Sequence, residues 1–421
     1  MKISIVIPTR NRSEFLRYCV QTCLACDDDN IEIIISDNNS ADDTMQCIAA
    51  MGDPRLRYIC TGQDLSMRQN FEFALDHTSG EYVIYIGDDD GILPNGLKAL
   101  RRVIGRYQPD VLLWRHITYN WPTQGDHARP GQLKFRCRDF CGPMKHIEPR
   151  EMFLSFCKAK HINYRDAANI YHGCVHRRAI DKVRNQQDGI YFNDISPDMN
   201  TALSNLVVSE SILWFRNPVT IAGAGEKSTG YAFNPRGSVS RVQQDVTEDY
   251  CTRVVEDEVP PKLSVEIRSI AAHTYANLCQ INSASFGPGL MIDHEAWRQI
   301  IIADLKTFLP ELRRWDVLEA FFKEVDPGYQ YRGLLEQDPE AMGAVDASEQ
   351  AAPSAEGINP TAKQKRKKHA VPESALRNVE TVMRWLELVT GKPYTPSTNI
   401  VTALTTQAWR SVGMQLRASF N

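Results

Sequence analysis

The chain has 421 residues, of which 43% are hydrophobic and 24% are charged. This length exceeds the usual size of one domain, and the composition excludes extensive intrinsic disorder, so two or three globular domains are expected. The net charge of −4 excludes a general attraction to nucleic acid and limits any basic surface to a local patch.

Residues 1–116 alternate apolar runs of strand length with helically spaced apolar residues. The predicted strands are Ile3–Ile7, Ile31–Ser36, Arg57–Cys60, Tyr82–Ile86 and Asp110–His116. The predicted helices are Arg12–Cys26, Asp42–Met51, Ser66–His77 and Leu97–Tyr107. Such alternation favours parallel strands joined by right-handed crossovers, which is a doubly wound α/β sheet with ligands at the carboxyl ends of its strands.

Periodicity is weak between about Asn120 and Arg150, where an insertion or flexible loop is expected. Regular elements then resume. The predicted elements are a helix at 149–160, a strand at 171–176, a helix at 199–208, a strand at 211–215, and two or three helices between 260 and 322.

The last part of the chain is predicted to contain a flexible linker, residues 341–372, followed by C-terminal helices within residues 374–421. The basic run at 363–368 has three interpretations: a solvated linker, which is favoured, a contact with acidic lipid headgroups, or a nucleic-acid contact. No apolar stretch reaches the length of about 18 residues that a membrane-spanning helix needs. We therefore expect a cytoplasmic protein, with peripheral membrane contact through this run and the C-terminal helices as an open alternative.

Polar residues follow the predicted strands at one edge of the sheet. The first strand ends in Pro8, Thr9, Arg10 and Arg12, and the second ends in Asp37. A carboxylate at such a position can accept hydrogen bonds from a base or a ribose, and arginines can reach phosphates.

Three adjacent acids, Asp88, Asp89 and Asp90, end a later strand of the same edge. Neighbouring carboxylates repel one another unless a cation lies among them, and oxygen ligands favour Mg²⁺ or Mn²⁺. The alternative is a solvated acidic turn, since Asp-Gly is a common turn signal. The polar ends of the neighbouring strands favour the metal site.

Four segments carry a resemblance to a known family: "ISIVIPTRNR", "IEIIISDNNSADDT", "SMRQNFEFALDHTSGEYVIYIGDDDGILPNGL" and "HGCVHRR". They resemble the successive motifs of glycosyltransferase family 2, which has the GT-A fold. The resemblance is strong over 1–110, fair over 170–230 and absent beyond about 240. It implies a GT-A domain at 1–240, with a nucleotide-binding half at 1–110 and an acceptor-binding half at 110–240, followed by a helical region at 260–338.

The family also implies roles for single positions. Pro8, Thr9 and Asp37 match its nucleotide-contacting residues, and Arg68 and Asn70 match a segment near the donor. The triplet matches the DXD element that holds the metal and the ribose, with Gly87 standing where many members carry an acid. The implied ligands are Mn²⁺ or Mg²⁺ and a nucleotide sugar, with a UDP-sugar favoured by family habit.

The family's catalytic base opens a helix after the "RR" strand, and Asp198 takes that place, with Asp194 as second choice. A carboxylate after Pro197 is also a helix cap by position, so both roles are open. Many members supply a later histidine to the metal. Residues 222–228 contain none. Three alternatives are open: Glu226 substitutes for the histidine, the ion relies on the triplet, the diphosphate and water, or Lys227 helps to neutralise phosphate.

These assignments imply inverting transfer of a sugar to a hydroxyl of a cell-surface glycan or a lipid-linked acceptor. A nucleotidyltransferase is disfavoured because no glycine-rich loop follows the first strand. A non-catalytic scaffold that binds a partner or a membrane is the alternative from another class, and the intact acids argue against it. The oligomeric state is not predicted.

Overall fold

The computed structural model describes residues 1–122, 131–134, 143–230, 241–259, 262–282 and 288–326, together with Gly328 and residues 415–417. The predicted linker, the basic run and most of the predicted C-terminal helices lie outside these ranges. Gln415–Arg417, which the sequence places near the end of the last helix, forms a short strand instead. No helix among the described residues is long and apolar enough to cross a bilayer.

The main sheet has eight strands in the order β3-β2-β1-β4-β10-β6-β11-β9. Strands β1 to β4 pair in parallel, whereas β10 runs antiparallel to both of its neighbours. The strand bounds are β1 Ile3–Thr9, β2 Ile31–Asp37, β3 Leu56–Cys60, β4 Tyr82–Tyr85, β6 Val111–Trp114, β9 Lys145–Ile147, β10 Gly173–His176 and β11 Ile212–Phe215.

Eleven α-helices are described within these ranges. They are α1 Ser13–Leu24, α2 Thr44–Ala49, α3 Met67–Asp76, α4 Pro94–Tyr107, α5 Pro149–Cys157, α6 Arg177–Gln186, α7 Pro197–Val208, α8 Arg241–Val255, α9 Ile270–Asn282, α10 His294–Leu305 and α11 Trp315–Val325.

Both faces of the main sheet are buried, which explains why its strands read as continuous apolar runs. Alternate residues of β1 illustrate this: Ile5 packs on the side of α1 and α4, and Val6 packs on the side of α3 and α7. The mostly parallel α/β fold followed by helices is therefore confirmed.

A second sheet has the order β13-β8-β7-β12-β5. Its strands are β5 Gly91–Ile92, β7 Ile117–Asn120, β8 Gln132–Lys134, β12 Thr220–Ala224 and β13 Gln415–Arg417. Because β5 begins directly after the acidic triplet and pairs with β12, this sheet fixes the position of the triplet. Strands β8 and β9 lie where the sequence indicated only an insertion or loop, and β7 lies between that segment and the predicted strand at 110–116.

Helices α9, α10 and α11 confirm the helical spacing expected between 260 and 322. They share one apolar core with α5, α6 and α7, to which Trp297 and Phe322 contribute fully buried rings. Two asparagines join α7 to α9 inside this core, since Asn200 donates to Asn277 over 2.9 Å. The helical region thus packs as part of the same body as the acceptor half of the sheet.

Candidate active site

The ends of β1, β2 and β4 meet at one edge of the main sheet. Thr9 and Asp37 are register partners at the ends of β1 and β2, and Pro8 precedes them, half-buried. The Thr9 hydroxyl donates to Asp88 Oδ2 over 2.8 Å, which connects β1 to the loop after β4. The predicted convergence of these strand ends is therefore present.

Arg12 lies between two acids of the triplet. Its guanidinium contacts Asp88 Oδ1 at 2.8 Å and Asp89 Oδ2 at 2.7 Å. Asp89 also accepts a hydrogen bond from the Ser228 hydroxyl over 2.6 Å. The protein itself thus places one positive charge among the carboxylates, where the sequence argument required a cation.

Asp90 has a different set of partners. Its carboxylate accepts from the backbone N–H groups of Gly87 at 2.5 Å and Gly223 at 2.7 Å and from the Tyr171 hydroxyl at 3.0 Å. His172 Nε2 lies 3.2 Å from the same carboxylate. Burial acts to raise the pKa of Asp90, but His172 and the two N–H groups outweigh it and hold the pKa below its ordinary range.

Two glycines allow the backbone to approach the triplet. A Cβ at Gly223 would lie 1.9 Å from the carbonyl oxygen of Asp89, and a Cβ at Gly87 would lie 2.6 Å from the Tyr171 hydroxyl. Any larger residue would displace β12 or Tyr171. Both positions therefore favour glycine.

The charge balance of the triplet fits a divalent cation. Burial, followed by the neighbouring acids, raises the pKa of Asp88 to about 7, although Arg12 acts against this. A divalent cation among these acids would lower the pKa of Asp88, and all donors are oxygens. Among the described residues no three acid, histidine or cysteine side chains converge as a preformed metal site, so the ligand set Asp88, Asp89 and Asp90 stays a prediction.

Asp37 is buried and held from both sides. Tyr58 donates to Oδ2 over 2.6 Å, and the N–H of Ser40 donates to Oδ1 over 2.9 Å. Arg10 lies nearby and is engaged with Asp64 at 2.8 Å. The predicted contacts of Asp37 with a base and of Arg10 with a phosphate stay predictions.

Arg68 and Asn70 occupy the first turn of α3 and face partners within the protein. The Arg68 guanidinium donates to both oxygens of Asp257 over 2.6 to 3.1 Å, and Ser66 contacts the same carboxylate. Asn70 Oδ1 accepts from the Ser36 hydroxyl over 2.7 Å. Both side chains are therefore buried at the rim of the expected donor site, and their contacts with a donor stay predictions.

Asp198 lies in the first turn of α7 and is half-buried. Tyr164 donates to its Oδ2 over 2.9 Å. Burial raises the pKa of Asp198, although the Tyr164 hydrogen bond and the charge of Arg165 act against it. A carboxylate made more basic than usual is suited to remove a proton.

Tyr171 connects Asp198 with the triplet. Burial raises the pKa of its phenol, and the charges of Asp90, Asp89 and Asp198 raise it further. Asp198 therefore lies close enough to the phenol of Tyr171 to share it as a neighbour with Asp89 and Asp90. Asp194, the second choice for the base, is instead fully buried and accepts from Asn277 over 2.7 Å.

The structure brings one residue to the site that the sequence did not assign to it. The ring of His172 lies between Asp90 and Thr220, and its Nδ1 is 2.9 Å from the Thr220 hydroxyl. Its backbone has φ 54°, a left-handed conformation that is unusual for a residue other than glycine. No sequence signal marks that conformation. Lys227, one of the loop alternatives, pairs with Glu14 at 2.5 Å.

The acidic and basic side chains lie at the carboxyl ends of the strands of a mostly parallel α/β sheet, which is where ligands bind in this class of fold. Residues 4–185 match the family model described as Glycosyl transferase family 2. Through these residues the chain is similar to glycosyltransferase family 2.

Two relatives each match about a quarter of the chain. The GalNAc(5)-diNAcBac-PP-undecaprenol beta-1,3-glucosyltransferase of Campylobacter jejuni is 33% identical over 102 residues, which cover 24% of this chain and 33% of the relative. The putative colanic acid biosynthesis glycosyl transferase WcaA of Escherichia coli is 34% identical over 99 residues, which cover 23% of this chain and 36% of the relative. The matched part therefore spans about a third of each relative's length. The crystal structure of S. aureus TarS 1-349 aligns with a TM-score of 0.42 and 13% identity, covering 79% of this chain and 93% of that chain.

Proposed function

We propose that this protein is a metal-dependent inverting glycosyltransferase that moves a sugar from a nucleotide diphosphate sugar to an acceptor hydroxyl. The proposal is carried by the two kinds of carboxylate around Tyr171. Asp89 and Asp90 belong to an acid-rich cluster suited to an ion and a diphosphate, whereas Asp198 is a single basic carboxylate suited to a proton.

The residues divide the reaction between them. Asp37 would hold the base, and Asp88, Asp89 and Asp90 would hold Mn²⁺ or Mg²⁺, which when bound stabilises the departing diphosphate. Asp198 would take the proton of the acceptor hydroxyl while that oxygen bonds to the anomeric carbon. The bond from this carbon to the diphosphate breaks on the opposite side, which inverts the configuration.

For the two substrates, the proposal names the chemical class of each. Family resemblance supports a UDP-sugar as donor. The name of the C. jejuni relative includes a glycan linked to PP-undecaprenol. This wording supports a lipid-linked glycan as the acceptor of this chain.

The test is Asp198→Asn, which keeps the shape of the side chain but removes the base. We expect the release of nucleotide diphosphate from a panel of UDP-sugars to fall by about 10²- to 10⁴-fold, because a general base typically contributes this much. Stabilisation of the folded protein by the same sugars should be unchanged in a thermal melt. Release should also depend on added Mn²⁺.

The matched control is Asp166→Asn, since Asp166 lies two residues from Tyr164 but pairs with Arg115. This variant should behave as wild type. Near-normal release by Asp198→Asn contradicts the assigned base. Failure of every nucleotide sugar to raise the melting temperature would favour the non-catalytic scaffold.

A further inference from the structure

Tyr164 fixes one side of the Asp198 carboxylate. It lies in the 3-10 turn Tyr164–Asp166, which packs against α7, and its side chain is 5% exposed. Its hydroxyl donates to Asp198 Oδ2 over 2.9 Å, while the N–H of Met199 donates to Oδ1 over 3.0 Å. Each oxygen of the carboxylate therefore has one donor, and the plane of the group is set.

Arg165 determines the direction in which the Tyr164 hydroxyl points. Its Nε donates to the Tyr164 oxygen over 3.4 Å, and its guanidinium carbon lies 5.8 Å from the centre of the Tyr164 ring. A guanidinium has no acceptor, so the hydroxyl oxygen must accept from Arg165. The single hydroxyl hydrogen is then available only for Asp198.

Two phenols among the described residues, those of Tyr171 and Tyr250, also lie near Asp198 and carry no positive charge. Tyr171 and Tyr250 are phenols whose pKa is raised by burial first and by nearby carboxylates second, so both are neutral at physiological pH. Arg165 is the cation that lowers the pKa of Asp198, beside the hydrogen bond from Tyr164. Burial thus disfavours the ionised form of Asp198, and Tyr164 and Arg165 favour it.

We propose that Tyr164 and Arg165 are positioning residues for the base: Tyr164 orients the Asp198 carboxylate and keeps it ionised, and Arg165 holds the Tyr164 hydroxyl in its donating direction. This inference rests on the proposed role of Asp198. It adds an oriented pair that the family motifs do not contain, since Tyr164 and Arg165 lie outside all four motif segments.

The test compares Tyr164→Phe with Tyr191→Phe in the full chain. Tyr191 is a matched control because its phenol is also fully buried and hydrogen-bonded, but to Asn205. The pKa of Asp198 is measured by NMR titration of ¹³Cγ-labelled aspartate, with its signal identified by loss in Asp198→Asn. Removing a hydrogen bond to a charged group should raise this pKa by about one unit in Tyr164→Phe.

Tyr191→Phe should leave the pKa of Asp198 unchanged. The acid limb of the pH profile for nucleotide diphosphate release, measured with a UDP-sugar, should move upward by the same amount in Tyr164→Phe alone. If Tyr164→Phe does not fold, Arg165→Gln replaces it, because Arg165 is exposed and its removal should raise the same pKa by a smaller amount.

An unchanged pKa of Asp198 in the folded test variant overturns the inference. An equal change in Tyr191→Phe overturns it as well, because that result indicates a general effect on packing. Failure of the proposed function is distinguishable: in that case Asp198→Asn retains normal turnover, whatever the NMR titration shows.

Discussion

The acidic triplet and Asp198 place the same kind of side chain in two different environments. Within the triplet, Asp90 by itself has four partners: two backbone N–H donors, a phenol and a histidine. Asp198 has two partners, which are one phenol and one N–H of its own helix. The pKa of Asp90 is lowered and that of Asp198 is raised, although burial acts to raise both. A carboxylate held by many donors is suited to a fixed charge, and one held by few is suited to exchange a proton.

The largest expected difference between the two environments is in stability. Asp90→Ala leaves the buried N–H groups of Gly87 and Gly223 without their acceptor, so the free energy of unfolding should fall by about 3 kcal/mol. Asp198→Ala should cost about 1 kcal/mol or less, because it also removes a charge that burial disfavours. Urea unfolding followed by circular dichroism measures both values.

Asp166→Ala serves as the control for loss of a carboxylate on the same side of the protein. Equal losses of stability in Asp90→Ala and Asp198→Ala would show that the number of donors does not distinguish the two environments.

An intermediate effect is expected for the cation at the triplet. In Arg12→Gln the positive charge between Asp88 and Asp89 is removed, so Mn²⁺ should bind about tenfold more tightly in the absence of nucleotide. Isothermal titration calorimetry with MnCl₂ measures this affinity. Arg17→Gln is the control in the helix that follows Arg12, since the Arg17 side chain donates to the backbone carbonyl of Glu14. Weaker Mn²⁺ binding by Arg12→Gln would contradict the view that Arg12 and the ion share these acids.

The smallest expected effect is the pH dependence of stability at Asp198. Because the folded pKa is raised, the protonated form is favoured in the folded protein, and this contribution is lost as pH rises through the folded pKa. The free energy of unfolding of Asp198→Asn relative to wild type should therefore increase as pH rises above about 4. Urea unfolding at a series of pH values measures the trend.

Asp110→Asn provides a control of opposite sign. Burial acts to raise the pKa of Asp110, but Arg178 and two backbone N–H groups hold it below the ordinary range. The stability that Asp110 contributes is present above about pH 4 and is lost as pH falls through its folded pKa. If the free energies of unfolding of Asp198→Asn and Asp110→Asn, each relative to wild type, change in the same direction with pH, the assigned pKa shifts are wrong.

Much of the fold follows from local patterns, but short or polar elements do not. The parallel strands are predictable because both faces are buried and the runs are continuously apolar. Helix α6 was missed because only Ala179, Ile180 and Val183 among its residues are buried, and the rest are mostly charged or polar. Strand β12 was missed because its glycine at 223 is required by the close approach to Asp89, which sequence patterns do not show.

The candidate site also contains contacts that the sequence predicts and contacts that it does not. The strand ends carrying Thr9, Asp37 and the triplet are brought together by the parallel sheet alone, so their convergence was predictable. The ion pair of Arg68 with Asp257 joins residues 189 positions apart, and the contact of His172 with Asp90 depends on an unusual backbone angle. Neither contact has a local sequence signature.

Helix α7 is buried on nearly all sides, and α9 covers part of its surface through Asn200 and Asn277. During translation α7 leaves the ribosome before α9 has been made. The nascent chain must therefore carry an exposed apolar helix, with Asp198 at its start, until residues 262–282 emerge and cover it. The part of the chain that matches the family model ends at residue 185, yet the proposed base Asp198 acquires its final surroundings only when this later segment has been synthesised.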